Sequence, residues 1–163
     1  MEFSKSRFLI LALFYFLYIP DIFSETTQKK LNIAVAEFEA RQVSVMDATT
    51  VSDLLRGALV NLQLFNITER KNMEKILKEQ KLQLSDCTET SCAVEMGRVL
   101  AVKKLIIGNF GKLLDSYYIN VKLVNVETAE IEYSNKKECR DFDSINTACR
   151  EIAEEIHQKF GTK

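Results

Sequence analysis

The chain has 163 residues, 47% of them apolar, and its 22 lysines and arginines nearly balance its 23 aspartates and glutamates, leaving a net charge of −1. This length and apolar content suit one compact domain that buries most of its core surface. The near-neutral charge excludes the broad basic field by which proteins attract nucleic-acid phosphates or anionic lipid.

The amino terminus predicts a secretory signal peptide over residues 1–24. Basic residues precede an apolar run from Phe8 to Ile19, Pro20 follows that run, and the small residue Ser24 marks the expected cleavage point. The apolar run of about twelve residues is shorter than the roughly twenty that a spanning helix needs. An uncleaved anchor is therefore the weaker alternative. We expect residues 25–163 to form a single exported domain with no membrane span.

The first half of the mature chain predicts a strand, a helix, a second strand and a second helix. Leu31 to Phe38 is apolar on both alternating faces, which is typical of an inner strand covered on two sides. An apolar stripe with helical spacing then predicts a helix with Asp47 as its cap; the stripe consists of Val51, Leu54, Leu55, Ala58, Leu59 and Leu62. Phe65 to Thr68 reads as a short strand, and Asn72 as the cap of the next helix.

The second half predicts a short helix, three strands and a last helix. The short helix begins at Thr90 or Ser91 and contains Gly97, which we expect to permit close packing. A strand from Leu105, with two glycines that suggest a bulge or close backbone approach, opens an antiparallel meander. The last helix spans about Asp143 to Phe160. The order β-α-β-α-α-β-β-β-α predicts an α/β sandwich: a mixed sheet of about five strands with helices packed on it.

The cysteines predict disulfides. All four, Cys87, Cys92, Cys139 and Cys149, follow the signal peptide, and an even number in an exported chain favours disulfide bonds, although three pairings are open. Local pairing, Cys87 with Cys92 and Cys139 with Cys149, is the most economical. A four-cysteine zinc site is the alternative, but the spacing is poor for it. The Cys-x-x-Cys spacing of a redox-active pair is absent.

No residue set points to catalysis, a cofactor or a metal. His157 is the only histidine and lies near the end of the last predicted helix, where a solvated role is expected. Glu37 and Glu39 flank the carboxyl end of the first strand, where open α/β sheets often keep their sites. Two carboxylates separated by one residue could share a proton or a cation, but no base or third ligand accompanies them. We therefore expect them to be solvated or to act as caps.

Charged residues at the second strand's end are the candidates for contact with another protein. Glu69 and Arg70 close that strand just before a helix, and Glu79 follows a little over two turns later. An ion pair that fixes the strand-helix corner is the simpler interpretation. Contact with a neighbouring subunit is the functional alternative.

From Ile33 onward the sequence resembles the CsgG-like family, whose founding member is the curli secretion channel of the bacterial outer membrane. The matching segments are IAVAEFEA, VSDLLRGALVNL, FNITERKNMEKILKEQ, AVEMGRVLAVKKLIIGNF and YYINVKLVNVETAEI. The resemblance implies a periplasmic α/β domain without catalysis, which acts in envelope assembly or protein export by contact with an envelope protein or with a second copy. It implies no cofactor.

Two departures from that family limit what the resemblance implies. The channel proteins carry a lipidated amino-terminal cysteine, which is missing here, and long hairpins that build a barrel, where this chain has only turns near Leu114 to Ser116 and Glu127 to Ala129. More distantly, the chain is similar to the penicillin-binding-protein activator lipoproteins and to the amino-terminal domain of TolB. An activator of a peptidoglycan synthase is therefore the alternative function. An enzyme, resting on Glu37 and Glu39 alone, is a third.

Overall fold

A computed structural model of the chain describes residues 30–81 and 87–161. Six strands and four helices lie within these ranges. The strands are β1 (Leu31–Val35), β2 (Glu39–Arg41), β3 (Phe65–Ile67), β4 (Lys104–Leu113), β5 (Ser116–Asn125) and β6 (Ile131–Cys139), and the helices are α1 (Val45–Asn61), α2 (Arg70–Glu79), α3 (Thr90–Val99) and α4 (Phe142–Phe160).

All six strands belong to one mixed sheet, ordered β3-β1-β4-β5-β6, with β2 paired to β4. The strand β1 runs parallel to β3 and β4, while β4, β5 and β6 form an antiparallel meander. Parallel neighbours need a crossover connection, and helices provide it here. The predicted α/β fold, a mixed sheet with helices packed on it, is confirmed.

The sheet has one strand more than predicted. The expected strand from Leu31 to Phe38 ends at Val35, and β2 resumes the pairing farther along β4, where Glu39 lies opposite Asn109. Sequence pattern missed β2 because three residues, two of them charged, are too few to show an alternating period.

Helices α1 and α4 cover one face of the sheet side by side. Leu55 and Leu59 of α1 and Ile152 of α4 are fully buried against sheet residues such as Ile106 and Ile119. Burying a side chain of this size stabilises the fold by about 2 kcal/mol. The stripes that predicted these two helices are the ones that face the sheet.

Helices α2 and α3 cover only part of the other face. Met73 and Leu77 of α2 and Met96 of α3 are buried against Ala34 and Leu105. Farther along the strands, the same face carries polar side chains that line a cavity of about 620 Å³, including Asn109, Asn120, Lys122, Ser134 and Lys136. The Asn120 amide donates to Asn109 Oδ1 at 2.7 Å. This part of the face is therefore polar.

Two predicted helix caps were wrong. Ser44, not Asp47, caps α1: its hydroxyl accepts from the Asp47 N–H at 3.0 Å, and the Asp47 carboxylate accepts from the Ser44 N–H at 3.3 Å. Asp47 is thus the second member of a capping box. Asn72 lies inside α2, which Glu69 precedes as its cap residue. Several polar residues stand near each helix start, and only the reciprocal geometry decides between them.

Gly108 marks a close backbone approach. The β4–β5 register is regular there, with Gly108 opposite Val121. A Cβ at this position would overlap the Asn120 carbonyl oxygen and press on the Phe38 ring. The second of the two sequence interpretations, close approach without a bulge, is therefore the one that the structure has.

The predicted signal peptide, residues 1–24, lies outside the described residues. Within residues 30–81 and 87–161, no helix combines the length and the apolar character needed to cross a bilayer.

Candidate functional site

The two carboxylates at the end of β1 form ion pairs with different arginines. Glu37 lies between β1 and β2, and its Oε1 is 2.8 Å from Arg70 Nη2. Glu39 belongs to β2 and accepts from Arg41 at 3.0 Å. The structure therefore does not bring the two carboxylates together as a shared proton or cation site.

Arg70 joins three elements at what we call the Arg70 corner, formed by Glu37, Asp53, Arg56, Arg70 and Glu74. Arg70 lies 2.8 Å from Glu37, 3.4 Å from Asp53 on α1 and 2.8 Å from Glu74 on α2. Asp53 also pairs with Arg56, whose Nη2 donates to the Val35 carbonyl at 2.7 Å. Burial lowers the pKa of Arg56, although Asp53 opposes this. The corner holds β1, α1 and α2 together.

Of the three predicted contact residues, only Arg70 belongs to the Arg70 corner. Arg70 does fix the strand-helix junction, but through Glu37, Asp53 and Glu74 rather than through its neighbour Glu69. The Glu69 carbonyl accepts the Met73 N–H at 3.0 Å at the start of α2. Glu79 is the exposed last residue of that helix. Contact of Glu69, Arg70 and Glu79 with another protein stays a prediction.

The four cysteines divide into one disulfide and two thiols. Cys87 and Cys92 are joined, with their Cα atoms 5.7 Å apart, and the bond links the loop before α3 to that helix. Cys139 and Cys149, expected to form the second disulfide, are free and buried. Their sulfur atoms face different carbonyls: Cys139 approaches Ser144 O at 3.7 Å and Cys149 approaches Val51 O at 3.8 Å.

Burial makes Cys149 a poor nucleophile. It raises the pKa of this thiol to about 12, and the nearby Cys139 adds to the effect. A thiol rather than a thiolate is present at neutral pH, and only the thiolate reacts readily. Cys149 therefore packs as a small apolar side chain.

His157, expected to be solvated, is half-buried. The His157 ring lies in the last turn of α4, and its Nδ1 is buried without a hydrogen-bond partner there. A catalytic histidine is normally oriented by a carboxylate at that atom. Residues 30–81 and 87–161 also contain no group of three or more His, Cys, Asp or Glu side chains arranged to hold a metal ion.

A cavity of about 630 Å³ opens beside the amino ends of β1 and β4. Its most buried charge, Lys104, is paired with Glu132, which also accepts from Asn125 at 2.8 Å. Burial would raise the pKa of Glu132, but the hydrogen bonds from Lys104 and Asn125 lower it. Lys159 donates to the Glu132 carbonyl. Lys104 and Lys159 therefore both bond to Glu132 in this cavity.

Exposed apolar side chains gather at the opposite end of the sheet, at a surface we call the apolar end: Val45, Met46, Leu113, Leu114 and Phe142. They are between 57% and 86% exposed, and only Val60 and Ile131 join them as exposed large apolar residues in the described ranges. Clusters of exposed apolar side chains typically mark interaction sites.

Three segments distant in sequence build the apolar end. Val45 and Met46 begin α1, Leu113 and Leu114 form the β4–β5 turn, and Phe142 begins α4. They come together because β2 ends level with Gly111 and β6 ends opposite Tyr117, beside that turn. Sequence reasoning missed this surface, although two consecutive leucines in a hairpin turn were a local signal.

A groove of about 330 Å³ lies between the first turns of α1 and α4 at this end. Phe110 and Tyr117 of the sheet form its floor, with their rings stacked 5.6 Å apart. Leu54 and Ile145 line its sides. The groove can hold an apolar side chain.

Comparison with known proteins gives one family and a set of similar folds. The family model described as curli production assembly/transport component CsgG matches residues 18–115. No curated protein sequence matches the chain.

Several solved structures share the fold. The C-terminal domain of LpoB from Salmonella enterica matches with a TM-score of 0.58 and 16% identity, over 72% of this chain and 87% of that one. Lipoprotein GNA1162 from Neisseria meningitidis gives 0.58 and 8% over 79% and 98% of the two chains. TolB from Acinetobacter baumannii gives 0.54 and 10%, and the match covers 80% of this chain but 28% of TolB. At these identities the likeness is one of fold.

Proposed function

This chain belongs to the CsgG family, and we propose that it is a non-enzymatic periplasmic domain that acts in cell-envelope assembly or protein export by binding another protein. The matched span covers β1 to the β4–β5 turn. The family indicates the general class of function, and the exposed surface of the domain indicates how the protein acts.

The observation that carries this proposal is the apolar end. Its five side chains come from three separate segments that the fold brings to one end of the sheet, and Phe142 among them lines the groove. Exposing large apolar side chains to water is unfavourable, so a cluster of them is expected to be covered in the working state. This kind of surface is typical of a protein that binds another protein.

The charged residues support a non-catalytic role. Glu37 and Arg70, which the sequence offers for chemistry or contact, are ion-paired within the Arg70 corner. A catalytic acid or base needs a proton-transfer partner within hydrogen-bond reach of substrate. Side chains held in structural ion pairs are poorly placed for that.

Location in the periplasm rests on the predicted signal peptide and on cysteine chemistry. The Cys87–Cys92 disulfide suits an oxidising compartment. Cys149 is fully buried, which protects its thiol there.

Site-specific photo-crosslinking in the intact envelope tests the proposal. A photoreactive residue at Leu114, in the apolar end, is compared with one at Val60, an exposed apolar residue outside it. We expect Leu114 to give a discrete protein adduct and Val60 to give none. Recovery of the protein from the cytosol, or equal labelling at both positions, would contradict the proposal.

Activation of a peptidoglycan synthase is the second candidate. The observation in its favour is the fold shared with the LpoB C-terminal domain, at a TM-score of 0.58, together with the resemblance to penicillin-binding-protein activators. Adding the purified protein to such a synthase in vitro decides between the two. Faster glycan polymerisation, lost in a Leu114→Ser variant, would favour activation; an unchanged rate would leave the assembly or export role.

A further inference from the structure

We propose that the apolar end binds a protein segment whose apolar side chains are flanked by lysine or arginine. This inference rests on the proposed function and names the chemistry of the partner. Three observations carry it: the groove, the charges around it and the position of the other exposed apolar residues.

The groove is shaped for an anchor side chain. Its floor is aromatic, from Phe110 and Tyr117, and the exposed Phe142 stands at its edge. Apolar or aromatic anchors that enter such pockets supply most of the affinity of a protein interface. Leu114 in the β4–β5 turn and Met46 in the first turn of α1 are exposed at the same end of the sheet.

The rim of the apolar end carries more acidic than basic side chains. Exposed carboxylates lie in all three segments, at Asp47, Asp115, Asp141 and Asp143. The exposed cations beside them are Arg41, Lys112 and Arg140, and Arg41 is already paired with Glu39. Lys112 Nζ lies 5.4 Å from the centre of the Tyr117 ring. Because complementary charge at the rim selects a partner, this surface favours a segment with basic flanks.

The same charges argue against the two other occupants of an apolar surface. A negatively charged lipid surface attracts basic clusters, and the acidic rim would be repelled by it. A second copy docked by a two-fold axis would place the same acidic rim against itself. Like charges brought together at an interface oppose binding.

The two remaining exposed apolar residues provide matched controls. Val60 lies near the last turn of α1, and Ile131 begins β6 opposite Val124. Both therefore lie toward the other end of the sheet, and they are 50% and 47% exposed. Their replacement removes apolar surface of similar size without touching the groove.

The test measures binding of labelled synthetic peptides to the exported protein by fluorescence anisotropy. One amphipathic peptide carries leucine and phenylalanine anchors with lysine flanks. A second has the same anchors with glutamate flanks, and a third keeps the lysines but has serine anchors. We expect the first peptide to bind at least about tenfold more tightly than either other peptide. This difference in affinity should decrease as salt is added.

Variants then locate the site. We expect Leu114→Ser and Phe142→Ser to weaken the first peptide's binding at least about tenfold, because exposed positions lose contact without loss of fold. Val60→Ser and Ile131→Ser should leave the affinity unchanged. Asp115→Asn combined with Asp143→Asn should reduce the preference for lysine over glutamate flanks.

Several results would overturn the inference. One is equal binding of the lysine and glutamate peptides, and another is equal weakening by Val60→Ser and Leu114→Ser. Cosedimentation with phosphatidylglycerol vesicles that Leu114→Ser abolishes would assign the surface to lipid. A dimer in analytical ultracentrifugation that Leu114→Ser dissociates would assign it to a second copy. If no peptide binds while the Leu114 crosslink in the envelope persists, the partner chemistry is wrong and the proposed function stands.

Discussion

The two faces of the sheet are held together in different ways. Helices of 17 and 19 residues, α1 and α4, cover one face, whereas the ten-residue helices α2 and α3 cover part of the other. The face with long helices contains Cys139 and Cys149 as free thiols in its core, and the other face has the Cys87–Cys92 disulfide. The face covered by the long helices buries enough apolar surface to be stable without a disulfide. On the face covered by the short helices, the disulfide adds to the stability that packing provides.

In strand β6, neighbouring residues point to the two differently covered faces of the sheet. Lys137 points toward α4 and pairs with Glu151 and Glu155, each at 2.9 Å. Lys136 points to the other face, where its Nζ lies 4.2 Å from the centre of the Tyr118 ring. Because adjacent side chains of a strand face opposite ways, one residue separates a helix-covered surface from an open one.

Truncation of a core side chain should give the largest difference in stability between the two faces. We expect Leu55→Ala, in α1, to lower the free energy of unfolding by about 4 kcal/mol and Leu77→Ala, in α2, by about 2 to 3 kcal/mol. Both side chains are buried. Leu55 lies where α1 packs against α4 and the sheet, and we expect its neighbours not to fill the cavity that the truncation leaves. Urea denaturation with the disulfide intact measures both. Equal losses would show that the two faces are packed equally well.

Removal of the disulfide should have the next largest effect. Replacing Cys87 and Cys92 with serine should cost about 2 kcal/mol, the chain-entropy value for so short a loop. The control is reductant: dithiothreitol should destabilise the wild type by a similar amount and leave the double variant unchanged. If the reductant still destabilises the double variant, Cys139 and Cys149 are bonded in solution, as the sequence alone suggested.

The long-helix face was the more predictable one. Regular stripes in α1 and α4 and two-faced apolar runs in β1 and β4 follow from burial itself, so sequence pattern is sufficient to find them. The missed features depend on distance in three dimensions. The β2 pairing needs β4 beside it, and the apolar end exists only when the fold brings Val45, Leu114 and Phe142 to one end of the sheet.

Two helical glycines should respond oppositely to alanine. At Gly97 of α3 a Cβ would overlap the Val126 side chain, whereas at Gly57 of α1 it would meet nothing within 4 Å. We expect Gly97→Ala to destabilise by about 1 to 2 kcal/mol through overpacking. Gly57→Ala should stabilise by about 1 kcal/mol through helix propensity. Thermal unfolding measures both, and stabilisation by Gly97→Ala would mean that Val126 moves aside freely.

The smallest effect should be a pH dependence of stability, which comes from the polar contacts between α4 and β6. Tyr133 Oη and Asn135 Nδ2 each donate to Glu155 Oε2 at 2.6 Å, and Lys137 donates to Oε1 at 2.9 Å. The hydrogen bonds from Tyr133 and Lys137 lower the pKa of Glu155 below its ordinary value of 4.5, although partial burial opposes them. A carboxylate with a lowered folded-state pKa stabilises the fold above its unfolded pKa, and this stabilisation is lost as the pH falls through the folded value.

Wild-type stability should therefore fall more steeply than that of Glu155→Gln as the pH drops below about 4.5. Glu132, whose pKa is lowered by Lys104, titrates in both proteins and cancels in the comparison. Glu154→Gln, an exposed neighbour on the same helix, should keep the wild-type slope. Urea midpoints measured across the acid range give the slopes. Parallel curves for wild type and Glu155→Gln would mean that water screens this contact so fully that apolar packing alone holds α4 on the sheet.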